Sequence, residues 1–236
     1  MWQRVGSLGR DASSLDRALL LASFDGDESD VLSGEPLGRC HARLLRLHLR
    51  MLGGELWCVA NCPDCGSRVE FSVDSGAFLD LAVSEHGRDD LVLTHPGFTI
   101  RCRPPAPTDL MALADEPDPA AALWRRCAVA TDTDGHKVDL SLLPASVLDE
   151  IEEALASADP LAELIVKITC PECRISFDAD VDLGSFLWSE VDALAKRILH
   201  EVDILARAYG WTEPDVFALS DSRRAAYLRL VLEGAP

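Results

Sequence analysis

Two short stretches of this chain have the residue types and spacing to do chemistry. Residues 61–71 read NCPDCGSRVEF and residues 169–179 read TCPECRISFDA. Each places two cysteines three positions apart with a proline between them, Cys62 and Cys65 in the first and Cys170 and Cys173 in the second. A C-x-x-C turn puts two sulfurs on one side of a tight bend. Two such turns facing each other supply the four thiolates that zinc takes in a tetrahedron. The matched pair predicts one structural zinc ion held by Cys62, Cys65, Cys170 and Cys173. Four protein ligands close the coordination shell, whereas catalytic zinc keeps a position open. Thiol redox chemistry is the rival reading, and it calls for a strand-to-helix context around one lone pair.

The elements that must position these cysteines are strands. ELWCVAN and RVEFSVD flank the first pair, and ELIVKIT and RISFDAD flank the second. Val69, Phe71 and Val73 alternate, as do Ile175, Phe177, Ala179 and Val181, so each copy reads as a hairpin with the metal at its tip. Between Cys65 and Cys170 lie 104 residues, longer than usual for a zinc ribbon, and they read as an insertion between two halves of one site. Arg174 stands where the first copy has Gly66, which loosens the argument for the second turn. Cys40, Cys58, Cys102 and Cys127 stand alone and suit apolar packing. Cys58, four residues before Cys62, is the one plausible substitute ligand.

The expected fold class is α+β and mostly helical, built around a discontinuous zinc ribbon with a helical C-terminal tail. Residues 1–55 form an N-terminal helical region and 56–74 the first half of the ribbon. Residues 75–163 form an inserted acidic α+β region, 164–182 the second half, and 183–236 the tail. Helices are expected over 13–24 and 36–52. In the second, Cys40, Leu44, Leu47 and Met51 recur at helical spacing as one buried stripe. LVLTHPGFTIRC reads as two strands joined at His95-Pro96-Gly97. Thr108-Asp109 opens a short helix, and DPAAALWRRCAVA reads as another. Asp134-Gly135 marks a hairpin turn, and Pro144 and Pro160 bound an amphipathic helix. In the tail, Leu187, Val191, Leu194, Ile198, Val202, Leu205 and Tyr209 make one apolar stripe. Thr212 and Asp215 open a short helix in capping-box fashion. A last helix, capped by Ser220 or Ser222, carries Ala226, Leu230 and Val231 inward.

The net charge is −18, and residues 106–165 alone carry −10. Such a field repels nucleic-acid backbones and anionic lipid surfaces. No long apolar run reads as a membrane span. Asp11 and Asp16 interrupt the N-terminus, which does not read as a signal peptide, so a cytoplasmic location is expected. DGDESD at 25–30 begins like a calcium loop, but Asp30 and Pro36 occupy its glycine and glutamate positions, so a turn is expected. There is no phosphate loop, nucleophile elbow or H-E-x-x-H. His41 and His48 read as structural histidines, and Glu150, Glu152 and Glu153 as a solvated helix face. A zinc-dependent or thiol-based enzyme of unknown substrate stays as the alternative to a binding protein. An open coordination position or a perturbed, exposed cysteine would favour it.

A further set of residues runs through the tail: Trp188 and Glu190, then Tyr209, Trp211, Thr212 and Glu213, then Leu219, Ser220, Arg223, Arg224, Tyr227 and Leu228. With LDRALLLA, the first cysteine phrase, GFTIRCRPPAPTDL and ADPLAELIVKITCPEC, they follow one order along the chain. That order resembles the baseplate hub assembly protein family of T-even-type contractile phages, also found in contractile injection-system clusters. The resemblance implies a non-enzymatic role in assembling the baseplate hub, as transient chaperone or retained component. It implies hub or spike proteins as partners, with no nucleic acid, membrane or small-molecule substrate. Two surfaces suit such partners. Arg39, Arg43, Arg46 and Arg50 make a basic stripe that either pairs with the protein's own carboxylates or docks an acidic partner. Trp211, Arg223, Arg224 and Tyr227 make the second, with Trp188 assigned to the core.

Overall fold

The computed structural model describes residues 12–24, 32–81 and 90–234. The turn expected at 25–30 lies outside the described residues. The chain divides into two compact units, residues 1–187 and 188–236. No helix among the described residues is long and apolar enough to cross a membrane.

The first unit opens with helices α1 (Ala12–Ser23) and α2 (Leu37–Leu52). Helix α2 buries Leu37, Cys40, Leu44, Leu45, Leu47 and His48. Its expected stripe stops one turn early, because Met51 is 42% exposed. Gly53, at φ 97°, ends the helix in the left-handed region that a side chain disfavours. Strands β1 (Glu55–Asn61) and β2 (Arg68–Asp74) then pair antiparallel, and α3 (Ser75–Leu81) follows at once.

The insertion between the cysteine hairpins is an antiparallel sheet in the order β3-β4-β5-β6. Its strands are β3 (Leu91–His95), β4 (Phe98–Cys102), β5 (Ala128–Asp132) and β6 (Lys137–Val138). The turns at Gly97 (φ 96°) and Gly135 (φ 84°) fall where the sequence places them. Helices α4 (Pro107–Met111) and α5 (Pro119–Cys127) lie between β4 and β5. The CAVA stretch departs from its helical reading: Ala128 begins a strand, because residues 128–132 pair with β4 from Cys102 back to Phe98. A short 3-10 turn (Leu140–Leu142) leads into α6 (Ala145–Ala158). Ile100, Leu110, Leu113, Leu123, Ile151 and Leu155 are sealed in the core these elements share. Each such side chain contributes roughly 1.5–3 kcal/mol by leaving water.

The core is pinned on one side by Asp109, 2% exposed. Its carboxylate accepts from Arg103 at 2.6 and 2.9 Å, from Arg126 at 3.2 Å and from the Ala106 amide at 2.9 Å. Burial alone would raise this carboxyl, but Arg103, the Ala106 amide and Arg126 outweigh it and hold it below the usual range. Elsewhere Asp159 accepts the Gly38 amide at 3.0 Å, and the His41 Nδ1–H donates to the Leu161 carbonyl at 2.7 Å. Both contacts tie α2 to the segment entering the second cysteine hairpin.

That hairpin is β7 (Ile165–Thr169) with β8 (Ser176–Asp180). Helix α7 (Leu183–Tyr209) follows, and the boundary between the units falls inside it. In the second unit, α7 turns at Gly210 (φ 70°) into α8 (Glu213–Phe217) and α9 (Asp221–Glu233). Leu205 and Val216 are fully buried there, while Val191, Leu194, Ile198 and Val202 are half-buried and Tyr209 is exposed. The last helix also departs from expectation. Ala226 and Leu230 face water, and Arg224, Tyr227, Leu228 and Val231 form its half-buried side.

Candidate metal centre

The two hairpins bring Cys62, Cys65, Cys170 and Cys173 together, with all four sulfurs within 4.8 Å of one another. Cys62 Sγ lies 3.5 Å from Cys173 Sγ, and Cys65 Sγ lies 3.6 Å from Cys170 Sγ. Zn–S bonds of about 2.3 Å in a tetrahedron give sulfur–sulfur edges of about 3.8 Å. None of the eight cysteines is in a disulfide. Cys62 and Cys170 are buried with Val69, backed by Ile168 and Phe177, while Cys65 faces solvent. The group can hold one metal ion, and its all-sulfur donor set leaves no protein-free position in a tetrahedral shell. Cys58 is not part of it. Cys58 sits in β1 opposite Phe71.

Each knuckle is built by the same hydrogen bonds. The Cys62 amide donates to the Ser67 carbonyl at 2.9 Å and the Gly66 amide to the Cys62 carbonyl at 3.0 Å. The Cys170 amide donates to Ile175 at 2.9 Å and the Arg174 amide to Cys170 at 3.0 Å. Cys65 is lowered to about 6, first by the Ser67 hydroxyl at 3.3 Å and then by a backbone hydrogen bond from Ser67. Cys173 receives the matching backbone bond from Ile175, which lowers it, yet burial and the three neighbouring sulfurs push it up to about 12. Four sulfurs this close cannot all carry charge without a cation among them.

The likeness extends well past the cysteines. A shift of 108 positions lays residues 55–79 on 163–187 without a gap, and 10 of the 25 positions are identical. Leu56 and Leu164 are both buried at the base of their hairpins. The strand registers coincide under the same shift: Cys58 opposes Phe71 as Val166 opposes Ala179. Asp74 accepts the Gly76 amide at 2.8 Å, and Asp182 accepts the Ser185 amide at 3.0 Å. Each aspartate turns its strand into the helix behind it. The sequence reading found the knuckles but missed Asp74, Asp182 and the helix starts. A comparison of the chain with itself at that shift finds them.

Cys40, Cys102 and Cys127 are buried packing groups, and Cys58 is half-buried. Burial raises Cys40 to about 12, Cys102 to about 11 and Cys127 to about 12, the last also through Asp109. His48 Nδ1 lies 2.9 Å from the Ser75 hydroxyl, and both residues are buried. Glu150 is exposed and lies 3.2 Å from His95 Nε2. Asp132, Asp134 and His136 also approach one another, but Asp132 already accepts the amides of the other two and serves the hairpin turn.

Of the residues expected to meet partners, Arg39 bonds to buried Glu35 at 3.0 Å, and Arg43, Arg46 and Arg50 also have partners within the protein. Trp211 stacks on Tyr209 (ring centroids 4.8 Å apart) and meets Tyr227 edge-on at 4.9 Å. Arg224 bridges Glu201 at 2.8 Å and Asp221 at 2.9 Å, with its side chain 15% exposed. Arg223 is exposed and Trp188 half-buried. No family model, curated protein or solved structure matches this chain.

Proposed function

We propose that the chain is a non-enzymatic assembly factor or structural component of the baseplate hub of a contractile phage-tail-like particle or injection system. It acts by binding hub or spike proteins on a scaffold stapled by one zinc ion. The observation that carries this reading is in the second unit. The residues that resemble the hub assembly family build a single packed corner there. Tyr209, Trp211 and Tyr227 form its ring cluster, Thr212 and Ser220 cap its two short helices, and Arg224 locks α9 to α7 through Glu201. A corner so fixed leaves Phe217, Leu230 and Leu232 at 51%, 61% and 66% exposure. Exposed apolar groups in a rigid setting are what partner surfaces require. Zinc is the ion that suits four sulfur donors at tetrahedral spacing, and there it serves the fold rather than a reaction.

The test is a stop after Leu187 in a cell that carries the particle's genes. The shortened chain should keep its zinc while contractile particles fail to form. Normal particles from those cells would overturn the proposal.

A second reading, thiol chemistry, draws on the exposed, low-pKa Cys65. It is separated by alkylation. Iodoacetamide should leave Cys65 intact in the zinc-loaded protein and modify it only after chelation. Fast modification of the loaded protein would favour the thiol reading.

A further inference from the structure

The two copies of the hairpin unit share their cysteine knuckles, strand register and aspartate turns, and they differ on the outward faces of their strands. On the outward face of the second copy, Lys167, Thr169, Ser176, Asp178 and Asp180 are exposed and polar, as a solvated sheet face should be. The same face of the first copy carries Trp57 and Val59, 65% and 49% exposed. Under the 108-residue shift Val59 takes the place of Lys167, and Trp57 that of half-buried Ile165. Ser72 stands across from Trp57 in the register, too small to cover an indole.

Around this apolar pair the charge is mostly negative. Glu70 stands opposite Val59, and Glu55 and Asp74 stand opposite each other one step along the same face. Arg68 is the one cation on strands β1 and β2, and it lies 3.3 Å from Glu70. An exposed indole with carboxylates at neighbouring positions of the same face fits a cationic side chain, which gains from the ring quadrupole and from the acids together. Among the described residues the sheet has two strands, β1 and β2, and neither pairs with a third, which suits the addition of an extended chain.

We infer that the outward face of the first hairpin, Trp57 and Val59 framed by Glu55, Glu70 and Asp74, docks an extended, arginine- or lysine-bearing segment of a partner protein. All of these residues lie in the first unit.

The probe is a blocked hexapeptide of alternating arginine and valine, titrated into the zinc-loaded, isotope-labelled full chain and followed by NMR. A glutamate–valine peptide is the control. The arginine peptide should shift the Trp57 indole N–H and the amides of β1 and β2, and added salt should weaken binding. Trp57→Ala, a surface change that should leave zinc content intact, should weaken binding at least tenfold. Glu55→Gln with Glu70→Gln should lower both the affinity and its salt dependence. Equal binding of the glutamate peptide, unchanged binding by Trp57→Ala, or no shift at Trp57 would each overturn the proposal. So would concentration-dependent shifts at Trp57 without peptide, which would mean that a second copy of the chain covers this face.

Discussion

Gly66 and Arg174 occupy the same backbone position in two copies of one turn, at φ 72° and 65°. Arg174 is the one non-glycine residue in the left-handed region among the described residues. The metal knuckle requires that conformation, because the amide at this position must reach back to the carbonyl of the first cysteine. A side chain there costs roughly 1 kcal/mol. Arg174→Gly should therefore raise the melting temperature of the zinc-loaded protein, and Gly66→Arg should lower it by a similar amount. A Cβ at Gly66 would meet nothing within 4 Å, so the second change tests backbone strain without a clash. Thermal denaturation of both variants checks the pair of signs.

Loss of a ligand should be far more damaging. Structural zinc is worth an apparent ~10–16 kcal/mol in small peptides, against ~5–15 kcal/mol for the net stability of a domain. Cys170→Ser should abolish stoichiometric zinc and expose the amides of both hairpins to rapid hydrogen exchange. The sheet of the inserted region, with its own core, should stay protected for longer.

Asp109 and Arg103 should respond unequally to mutation. Arg103→Ala leaves a buried carboxylate with a main partner gone and should cost about 3–5 kcal/mol. Asp109→Asn leaves two arginines that are 40% and 44% exposed and can hydrate, so about 1–3 kcal/mol is expected. The pH dependence follows from the sign of the shift. The folded pKa of Asp109 lies below its unfolded value, so its stabilisation is fully present above about pH 4. It is lost as pH falls through the folded pKa. The stability gap between the native chain and Asp109→Asn, measured by denaturant titration, should stay level from neutral pH to about pH 4 and close below it.

In the second unit, Trp211 is half-buried between two tyrosines, so Trp211→Ala should cost about 2 kcal/mol of that unit's stability. Phe217→Ser and Leu230→Ser remove exposed side chains, so neither should shift the melting point by much. If those residues meet the hub, both changes should still reduce its capture in pull-downs with the hub proteins.

The parts of the fold that were legible in the sequence are those fixed by local rules. The hairpins, the glycine turns and the α2 and α7 spans follow from residue period and turn chemistry, and the pairing of the cysteine phrases from their matched contexts. What was not legible depends on which surface covers a face. Met51 and Leu230 lie on helical stripes whose far ends nothing covers. Ala128 leaves its helix because strand β4 offers a ladder to pair with. The Asp109 network joins Arg103 and Arg126 across a sheet connection that no local spacing announces. Nothing in the spacing of ELWCVAN tells which face of its strand Trp57 takes, and the register places it opposite Ser72 on the exposed face.

The proposal that one zinc ion staples the two hairpins is tested most directly by X-ray absorption at the zinc edge, with metal content measured on the same full-length sample. One zinc per chain is expected, with four sulfur neighbours at about 2.3 Å and no oxygen or nitrogen in the coordination shell. Protein purified without chelator that holds no metal, or zinc with an oxygen or nitrogen in place of a sulfur, would contradict it.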